Sequence, residues 1–522
     1  MAQSLLFTMS ASKFVTPSNI HSLHFQYLHK PHHQKPFSIM AKSLLFTPSN
    51  IHRLHFQHLH KQYHQKSFSI IAQSLLFPVK KHAPELVTPS KPTPHEVKLL
   101  SDIDDQDVLR FHIPVIQFYN YDPSMKGKDP VDIIKKALAK TLVFYYPFAG
   151  RLREGADRKL MVDCTGEGVL FIEADADVTL KDFGDTLLPP FPCLDELLYD
   201  VPGSSNVLNA TLILIQVTRL KCGGFIFAIR VNHTMSDASG IIQFMNALAE
   251  ISRGMIEPSI SPVWCRELLC ARNPPRVTCY HPELEQAPDN KGNVISLDTM
   301  VQRTFFFGPN EVAIVRSLLP TNQQQQYSKF EIITAFLWRC RTIALQLDSN
   351  ERVRLNIVVN GRYVNLRLPK GYYGNVVANP AIDTTAGKIV ENRLGYMYVL
   401  NLIKNAKAKV TKEYMHSLAD LIVIKGRPPF TMNEFMFIVS DVTRVGFGDV
   451  DFGWGKAVYG GPAIDSPLPG SASFYIPFTN AKGEKGFVVP LCLPAQAMER
   501  FVIEHDSVLQ GISNQSANGD PN

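Results

Sequence analysis

The sequence predicts an α/β protein of two domains of similar size, at roughly 72–262 and 286–510. The first observation is compositional: 45% of the 522 residues are hydrophobic and 19% are charged, the balance of a folded globular chain. The second is that strand-like and helix-like apolar patterns alternate from about residue 72. The third is a stretch rich in proline, which breaks regular structure and indicates a connecting loop, assigned to 263–285.

The leader, residues 1–71, differs from the rest. It carries seven cations and no acid, while the remaining 46 cations face 47 acids, so the predicted domains are nearly neutral and indicate no nucleic-acid partner. Segments 16–39 and 47–70 match at 19 of 24 positions, which indicates tandem duplication. We expect a disordered extension. The alternatives are a start site placed too far upstream, a plastid transit peptide and, because ten of the 17 histidines lie here, a metal-binding tract.

Hydrophobic runs and cysteines indicate the cellular compartment of the protein. No apolar run approaches the roughly 18 residues of a membrane-spanning helix, so no membrane partner is predicted. The eight cysteines include no C-x-x-C pair and are typical of reduced thiols. We therefore expect a cytoplasmic protein, with the plastid as the alternative if the leader is a transit peptide. The expected oligomeric state is a monomer.

Caps and periodicity predict the elements of the first domain. Asp129 before Pro130 is a typical helix start, an acidic cap followed by proline at the first helical position. Residues 211–217 and 225–231 are predicted strands joined by a glycine-containing turn. A helix at 239–253 follows the second strand.

The second domain has two clear helical signals. Ser328 and Glu331 form a capping box that opens an apolar helix over 332–344. Residues 410–424 form a second helical run, and 511–522 are expected to be a short tail.

Several chemistries are excluded by inspection. The chain contains no G-x-S-x-G nucleophile elbow, no Walker loop and no H-E-x-x-H zinc helix. The G-x-G pairs at 166/168 and 446/448 lack the third glycine of a dinucleotide fingerprint. Acyl-enzyme hydrolysis, nucleotide hydrolysis and hydride transfer are therefore not predicted, and neither a metal nor a permanently bound cofactor is expected.

Two H-x-x-x-D sequences remain, and each alone is a weak signal. His416 and Asp420 lie in the helical run 410–424, and we interpret them as a solvated surface pair on one helix face. His233 and Asp237 lie where a predicted strand ends and a helix begins, the edge at which an α/β sheet exposes side chains to a crevice. His233 is therefore the candidate base, and a buried structural histidine is the alternative.

A glycine-rich motif, D-F-G-W-G at 451–455, lies 218 positions after the histidine. Trp454 stands between Gly453 and Gly455, a pattern that lets backbone approach a neighbour closely. A tight turn around a packed indole is the simpler interpretation. The functional one is that the indole N–H, a donor without an acceptor, stabilises an oxyanion.

Together these motifs resemble the two signatures of the plant BAHD acyltransferases, in that family's order and separation. The likeness covers about 72–510. Four supporting stretches are also similar to the family: 146–152, 337–341, 360–362 and 371–375. The resemblance implies two chloramphenicol-acetyltransferase-like domains joined by a crossover loop, with an active-site channel between them.

The resemblance also implies roles for the motif residues. Acyl-CoA, as co-substrate, and an alcohol meet at His233, which acts as general base without an acyl-enzyme. Asp237 is expected to pair with an arginine and shape the site. Asp451 is grouped with His233 and Trp454 as a motif residue of the site, with a structural role and Arg362 as its partner.

Within the family, 91–97, 101–106 and 161–168 look most like the benzyl alcohol benzoyltransferases and the alcohol acyltransferases that make volatile esters. Lys456 stands where members using shikimate-type acceptors carry an arginine, which favours an uncharged alcohol. The expected reaction transfers a benzoyl, acetyl or anthraniloyl group to an alcohol such as benzyl alcohol or methanol. The alternatives are acylation of another specialised metabolite and a non-catalytic ligand-binding member of the same scaffold.

Overall fold

The computed structural model describes residues 75–204, 207–285, 300–428, 436–463 and 472–517. The predicted leader at 1–71, with its histidines, lies outside the described residues, as do residues 518–522 of the predicted tail. The last described helix continues to Ala517, so it extends into the segment predicted as a tail.

Strands are labelled in chain order. Those of the first half are β1 Val79–Lys81, β2 Glu85–Val87, β3 Val97–Leu99, β4 His112–Tyr119, β5 Arg151–Glu154, β6 Leu160–Asp163, β7 Val169–Ala176, β8 Ile213–Leu220 and β9 Phe225–Asn232. Those of the second half are β10 Met300–Phe307, β11 Arg352–Ile357, β12 Val359–Asn360, β13 Val377–Ala378, β14 Ala381–Thr385, β15 Met436–Asp441, β16 Tyr459–Pro462, β17 Ala472–Thr479 and β18 Lys485–Pro494.

Helices are labelled in the same way. The described α-helices are α1 Pro130–Phe144, α2 Leu194–Leu197, α3 Ala238–Ser252, α4 Pro309–Ser317, α5 Lys329–Leu345, α6 Ala386–Val390, α7 Asn392–Lys409, α8 Lys412–Ile424 and α9 Ala495–Ala517. Among the helices of the described ranges, none is long and apolar enough to span a bilayer.

Two mixed sheets carry the architecture. The first has seven strands in the order β1-β7-β8-β9-β4-β16, with β2 also paired to β7. The second has six strands in the order β10-β18-β17-β15-β11-β14. Smaller sheets, β3-β6-β5 and β12-β13, complete the topology. Strands and helices therefore alternate along the chain around two large sheets, which is the α/β class that the sequence predicts.

The local signals of the first half are confirmed. Asp129 caps α1, its Oδ1 accepting from the backbone N–H of Val131 at 3.0 Å, and Pro130 is the first helical residue. Strands β8 and β9 pair antiparallel and form the predicted hairpin. Both are buried along almost their whole length because α1 and α3 pack together beside this sheet and share its hydrophobic core.

The capping box of the second half is also confirmed. Ser328 Oγ accepts from the Glu331 N–H at 3.3 Å, and Glu331 Oε2 accepts from the Ser328 N–H at 2.7 Å. Helix α5 then runs through a second core, formed with α7, α9 and the six-stranded sheet.

One strand crosses between the two halves. Strand β16 comes from the second half of the chain, yet it pairs antiparallel with β4 of the first sheet, with Tyr459 opposite Phe118 and Pro462 opposite Val115. A division into 72–262 and 286–510 does not include this exchange, because sequence patterns give strands but not their partners. Those domain bounds stay a prediction.

The loop at 263–285 is hydrogen-bonded to α8, which corrects the interpretation of His416 and Asp420 as a solvated pair. Asp420 is fully buried and accepts hydrogen bonds from Arg272 N and Arg272 Nε, both at 2.6 Å, and from Arg276 N at 3.0 Å. The prediction of a solvated His416–Asp420 surface pair is therefore wrong for the aspartate. Its spacing within the helix could not show an arginine arriving from a distant loop.

Candidate active site

His233 lies immediately after β9, in the turn 233–236 that leads into α3. Its backbone N–H donates to Phe111 O at 2.8 Å, and its imidazole meets the Phe111 ring edge-on, with centroids 5.4 Å apart. The end of β9 and Phe111, the residue before β4, thus fix the backbone from which the imidazole projects. The side chain is partly exposed where it lines a cavity.

Both carboxylate oxygens of Asp237 accept hydrogen bonds from neighbouring segments of the chain. Oδ1 accepts from the Gly240 N–H at 3.1 Å and so caps α3. Oδ2 accepts from the Val376 N–H at 2.9 Å and from Arg362 Nη1. Neither oxygen bonds to the imidazole, so Asp237 holds the surrounding segments together and does not orient the base.

The expected pairing of Arg362 with Asp451 is wrong. The Arg362 guanidinium donates from Nη1 to Asp237 and from Nη2 to Gly374 O at 2.7 Å. Asp451 Oδ1 instead accepts from the N–H groups of Gly453 and Gly455, at 2.7 and 2.9 Å. The arginine expected beside Asp237 is therefore Arg362, and only the assignment of this arginine to Asp451 is wrong.

The cavity has a volume of about 300 Å³, at the lower end of the range for small-molecule sites. Its walls come from both sheets and are mainly apolar: Val108, Leu109, Phe111, Ile113, Val115, Ala238, Val358, Val377, Ile438, Val442, Phe447, Pro462, Ala472 and Phe474. The polar residues lining it are Asp107, His233, Asp237, Asn379 and Ser440. Asn379 and Ser440 are residues that sequence reasoning missed, since no motif marks them.

Charge around the cavity is already neutralised. Asp107 is paired with Arg158, with Oδ1 and Nη2 at 2.7 Å, just as Asp237 is paired with Arg362. No lysine or arginine is among the described residues that line the cavity. The walls therefore suit an uncharged group.

Burial lowers the pKa of His233 below its ordinary value, while the nearby Asp237 carboxylate acts in the opposite direction. Its Nδ1 is enclosed and has no hydrogen-bond partner among the described residues. The imidazole is therefore neutral near pH 7 and can accept a proton, which is the state that a general base requires.

The D-F-G-W-G motif forms a tight turn at the other end of β9. Gly453 and Gly455 have φ values of +113° and +82°, a backbone region that favours glycine. Trp454 is 5% exposed and packs edge-on against Phe225, with ring centroids 5.2 Å apart. The motif thus buries an indole between two glycines whose backbone conformation other residues would adopt only with strain.

This position excludes the catalytic role predicted for Trp454. Phe225 opens β9 and His233 follows its last residue, so at about 3.3 Å per residue the two lie on the order of 25 Å apart. Neither Trp454 nor Asp451 lines the cavity. The oxyanion role of the indole is wrong, and Asp451 serves the turn alone, because a motif's nearness to a site is not visible in the sequence.

Lys456 also lies away from the cavity. Its ammonium donates to Asp449 Oδ1 at 2.8 Å, and its side chain is largely exposed. The residue at this position therefore says nothing about acceptor charge in this protein. The preference for an uncharged acceptor is supported instead by the apolar cavity wall.

Comparison with known proteins gives the relatives of this chain. Residues 77–508 match the family model described as the Transferase family. The chain is 64% identical over 436 residues to benzyl alcohol O-benzoyltransferase of Petunia hybrida, covering 83% of this chain and 94% of the relative. It is 51% identical over 438 residues to alcohol acyl transferase 1, allele GSa, of Malus domestica, covering 83% and 94%.

A solved structure extends the comparison to the fold. The crystal structure of vinorine synthase superposes with a TM-score of 0.61 at 23% identity, over 83% of this chain and 98% of that one. The likeness shows a shared fold, in agreement with the predicted pair of chloramphenicol-acetyltransferase-like domains.

Replacing Trp454 with phenylalanine tests its packing role. We expect kcat to stay unchanged, because the indole lies far from His233, and the free energy of unfolding to fall by about 1–2 kcal/mol through lost packing. Steady-state kinetics and urea unfolding measure the two effects. A large fall in kcat with unfolding unchanged would contradict this placement.

Proposed function

The chain belongs to the Transferase family of BAHD acyl-CoA-dependent acyltransferases, and we propose that it esterifies a small neutral alcohol. The family resemblance stated from the two motifs is thereby confirmed. Benzoyl-, acetyl- or anthraniloyl-CoA is the proposed donor, and benzyl alcohol or methanol is the proposed acceptor. His233 is the proposed general base.

One observation carries this proposal: the His233 imidazole lies at a strand end and lines an apolar cavity. Burial there lowers its pKa, which favours the uncharged form. A neutral His233 accepts the alcohol proton as the alcohol oxygen attacks the thioester carbonyl carbon. The carbon–sulfur bond then breaks, and the imidazolium returns the proton to the departing CoA sulfur. The products are an ester and free CoA, and no acyl-enzyme is formed.

The cavity supports the proposed class of acceptor. Its aliphatic and aromatic walls suit the hydrocarbon part of an acyl or alcohol group. A substrate carboxylate placed there would be buried beside two carboxylates, Asp107 and Asp237, that are already paired with arginines. Burying an unpaired charge is costly, so acids such as shikimate are poor acceptors.

The proposed setting follows from the thiols. None of the eight cysteines, all of which lie in the described ranges, forms a disulfide bond, and Cys164, Cys340 and Cys492 are buried. This state supports the cytoplasm as the proposed compartment. The monomer is the proposed active form.

A substrate panel tests the proposed reaction. Each of the three acyl-CoAs is incubated with benzyl alcohol, methanol, hexanol and shikimate, and ester and free CoA are measured. We expect turnover of neutral alcohols and none of shikimate, because no cation in the described cavity wall can hold its carboxylate. Turnover of shikimate alone would overturn the acceptor class, and no transfer to any alcohol would overturn the reaction.

A pair of histidine variants tests the base. We expect His233→Ala to lower kcat by about 10²–10⁴-fold with the fold retained, because a positioned base is removed. His416→Ala is the matched control, since it sits in the other H-x-x-x-D sequence on α8, and its kcat should not change. Equal losses in the two variants would show that the wrong motif was chosen.

The pH profile of kcat/KM tests the protonation state. Because burial lowers the pKa of His233, the neutral base persists as the pH falls through 6.5, the ordinary histidine value. We expect kcat/KM to stay level down to that pH and to fall only below it. An acid limb with its midpoint above 6.5 would contradict the assignment.

A further inference from the structure

The turn that carries His233 leaves backbone carbonyls that neither β9 nor α3 can pair. Asn375 Nδ2 donates to His233 O at 2.8 Å and to Thr234 O at 3.3 Å. Arg266 Nη2 donates to Met235 O at 2.7 Å. Three consecutive carbonyls are therefore held by side chains from distant parts of the chain, as buried acceptors require.

Both donors are in turn held by one carboxylate. Asp104 Oδ1 accepts from Asn375 Nδ2 and Asn375 N, each at 2.8 Å, and from Arg266 Nη1 at 3.3 Å. The other oxygen, Oδ2, accepts from the backbone N–H and the hydroxyl of Ser101, at 3.1 and 2.7 Å. Asp104 and Asn375 are fully buried and Arg266 is 1% exposed, so water does not compete for these contacts.

Close packing fixes the same donors in place. A Cβ added to Gly374 would lie 1.2 Å from Arg266 Nη1, so only glycine admits the guanidinium there. A Cβ on Gly240, in the first turn of α3, would lie 2.0 Å from Tyr373 O. The guanidinium also lies over the Tyr373 ring, 5.0 Å from its centroid. The segment before Asn375 is thus pressed against the turn.

We infer that Asp104 is a positioning residue, which sets the backbone of the turn 233–236 through Asn375 and Arg266 and so fixes the direction of the His233 side chain. A general base has to be held within about 0.5 Å of its productive position. The inference rests on the proposed role of His233. It adds Asp104, which neither bonds to the imidazole nor lines the cavity.

Two single variants and their combination test the inference. Asp104→Asn removes the charge that holds both donors, and Asn375→Ala removes the link to His233 without burying an unpaired charge. We expect each to lower kcat by about 10- to 100-fold, with KM for both substrates within about threefold, because misplacement weakens the chemical step and not binding. The double variant should lose no more than the more damaging single variant, since the two residues act as one unit.

Asp383→Asn is the matched control. Asp383 pairs with the buried Arg354, at 2.8 and 2.9 Å, in the second sheet, and neither residue contacts the turn in the described structure. This variant also leaves a buried arginine without its partner. It should lower the melting temperature and leave kcat unchanged, which separates positioning from general destabilisation.

Amide hydrogen exchange gives a readout that needs no activity. Exchange in the peptide containing 233–236 should be faster in Asp104→Asn and Asn375→Ala than in wild type, and unchanged in Asp383→Asn. If wild type transferred no acyl group, the proposed function would fail while exchange still tested the contact network.

Other results would overturn the inference. These are unchanged kcat in folded variants, a loss of kcat without faster exchange, or additive losses in the double variant. If neither variant folded under conditions in which Asp383→Asn folds, Asp104 would be a folding element and the positioning role would be lost as well.

Discussion

The ion pair between Asp237 and Arg362 is the contact on which the site depends. Asp237 caps α3 in the first half of the chain, and its other oxygen binds Val376 N and the Arg362 guanidinium from the second half. The cavity lies between the elements that this carboxylate joins. Removing one partner of such a buried pair costs about 3–5 kcal/mol of folding stability. The pair therefore acts as a structural contact between the two halves and not as an aid to proton transfer.

Around this joint, charge and apolar surface are kept apart. Carboxylates near His233 are each matched by an arginine, and the histidine turn is held by neutral or paired donors. The cavity wall itself is mainly hydrocarbon, and its burial keeps the pKa of His233 low. A neutral base is therefore a product of burial, since none of the described carboxylates orients the imidazole as in a hydrolase triad.

Local signals were read correctly from the sequence, and long-range partners were not. The Asp129 cap and the Ser328–Glu331 box depend on neighbours within a few residues, and both are present. The expectations that Arg362 pairs with Asp451 and that Asp420 faces solvent are wrong, because each of these residues has its partner more than 100 positions away. Asn375 lay in a stretch that resembled the family, yet its contact with His233 O follows only from packing.

The distant D-F-G-W-G turn still bears on the site, through register. Residues 456–458 connect it to β16, which runs antiparallel to β4 so that Tyr459 faces Phe118 and Pro462 faces Val115. Pro462 and Val115 both line the cavity. Since a slip of one residue would turn every β16 side chain to the opposite face, a rigid turn before the strand sets which residues complete the cavity wall. The motif thus shapes the site from the far end of β9, by fixing a strand and not by contacting the reacting atoms.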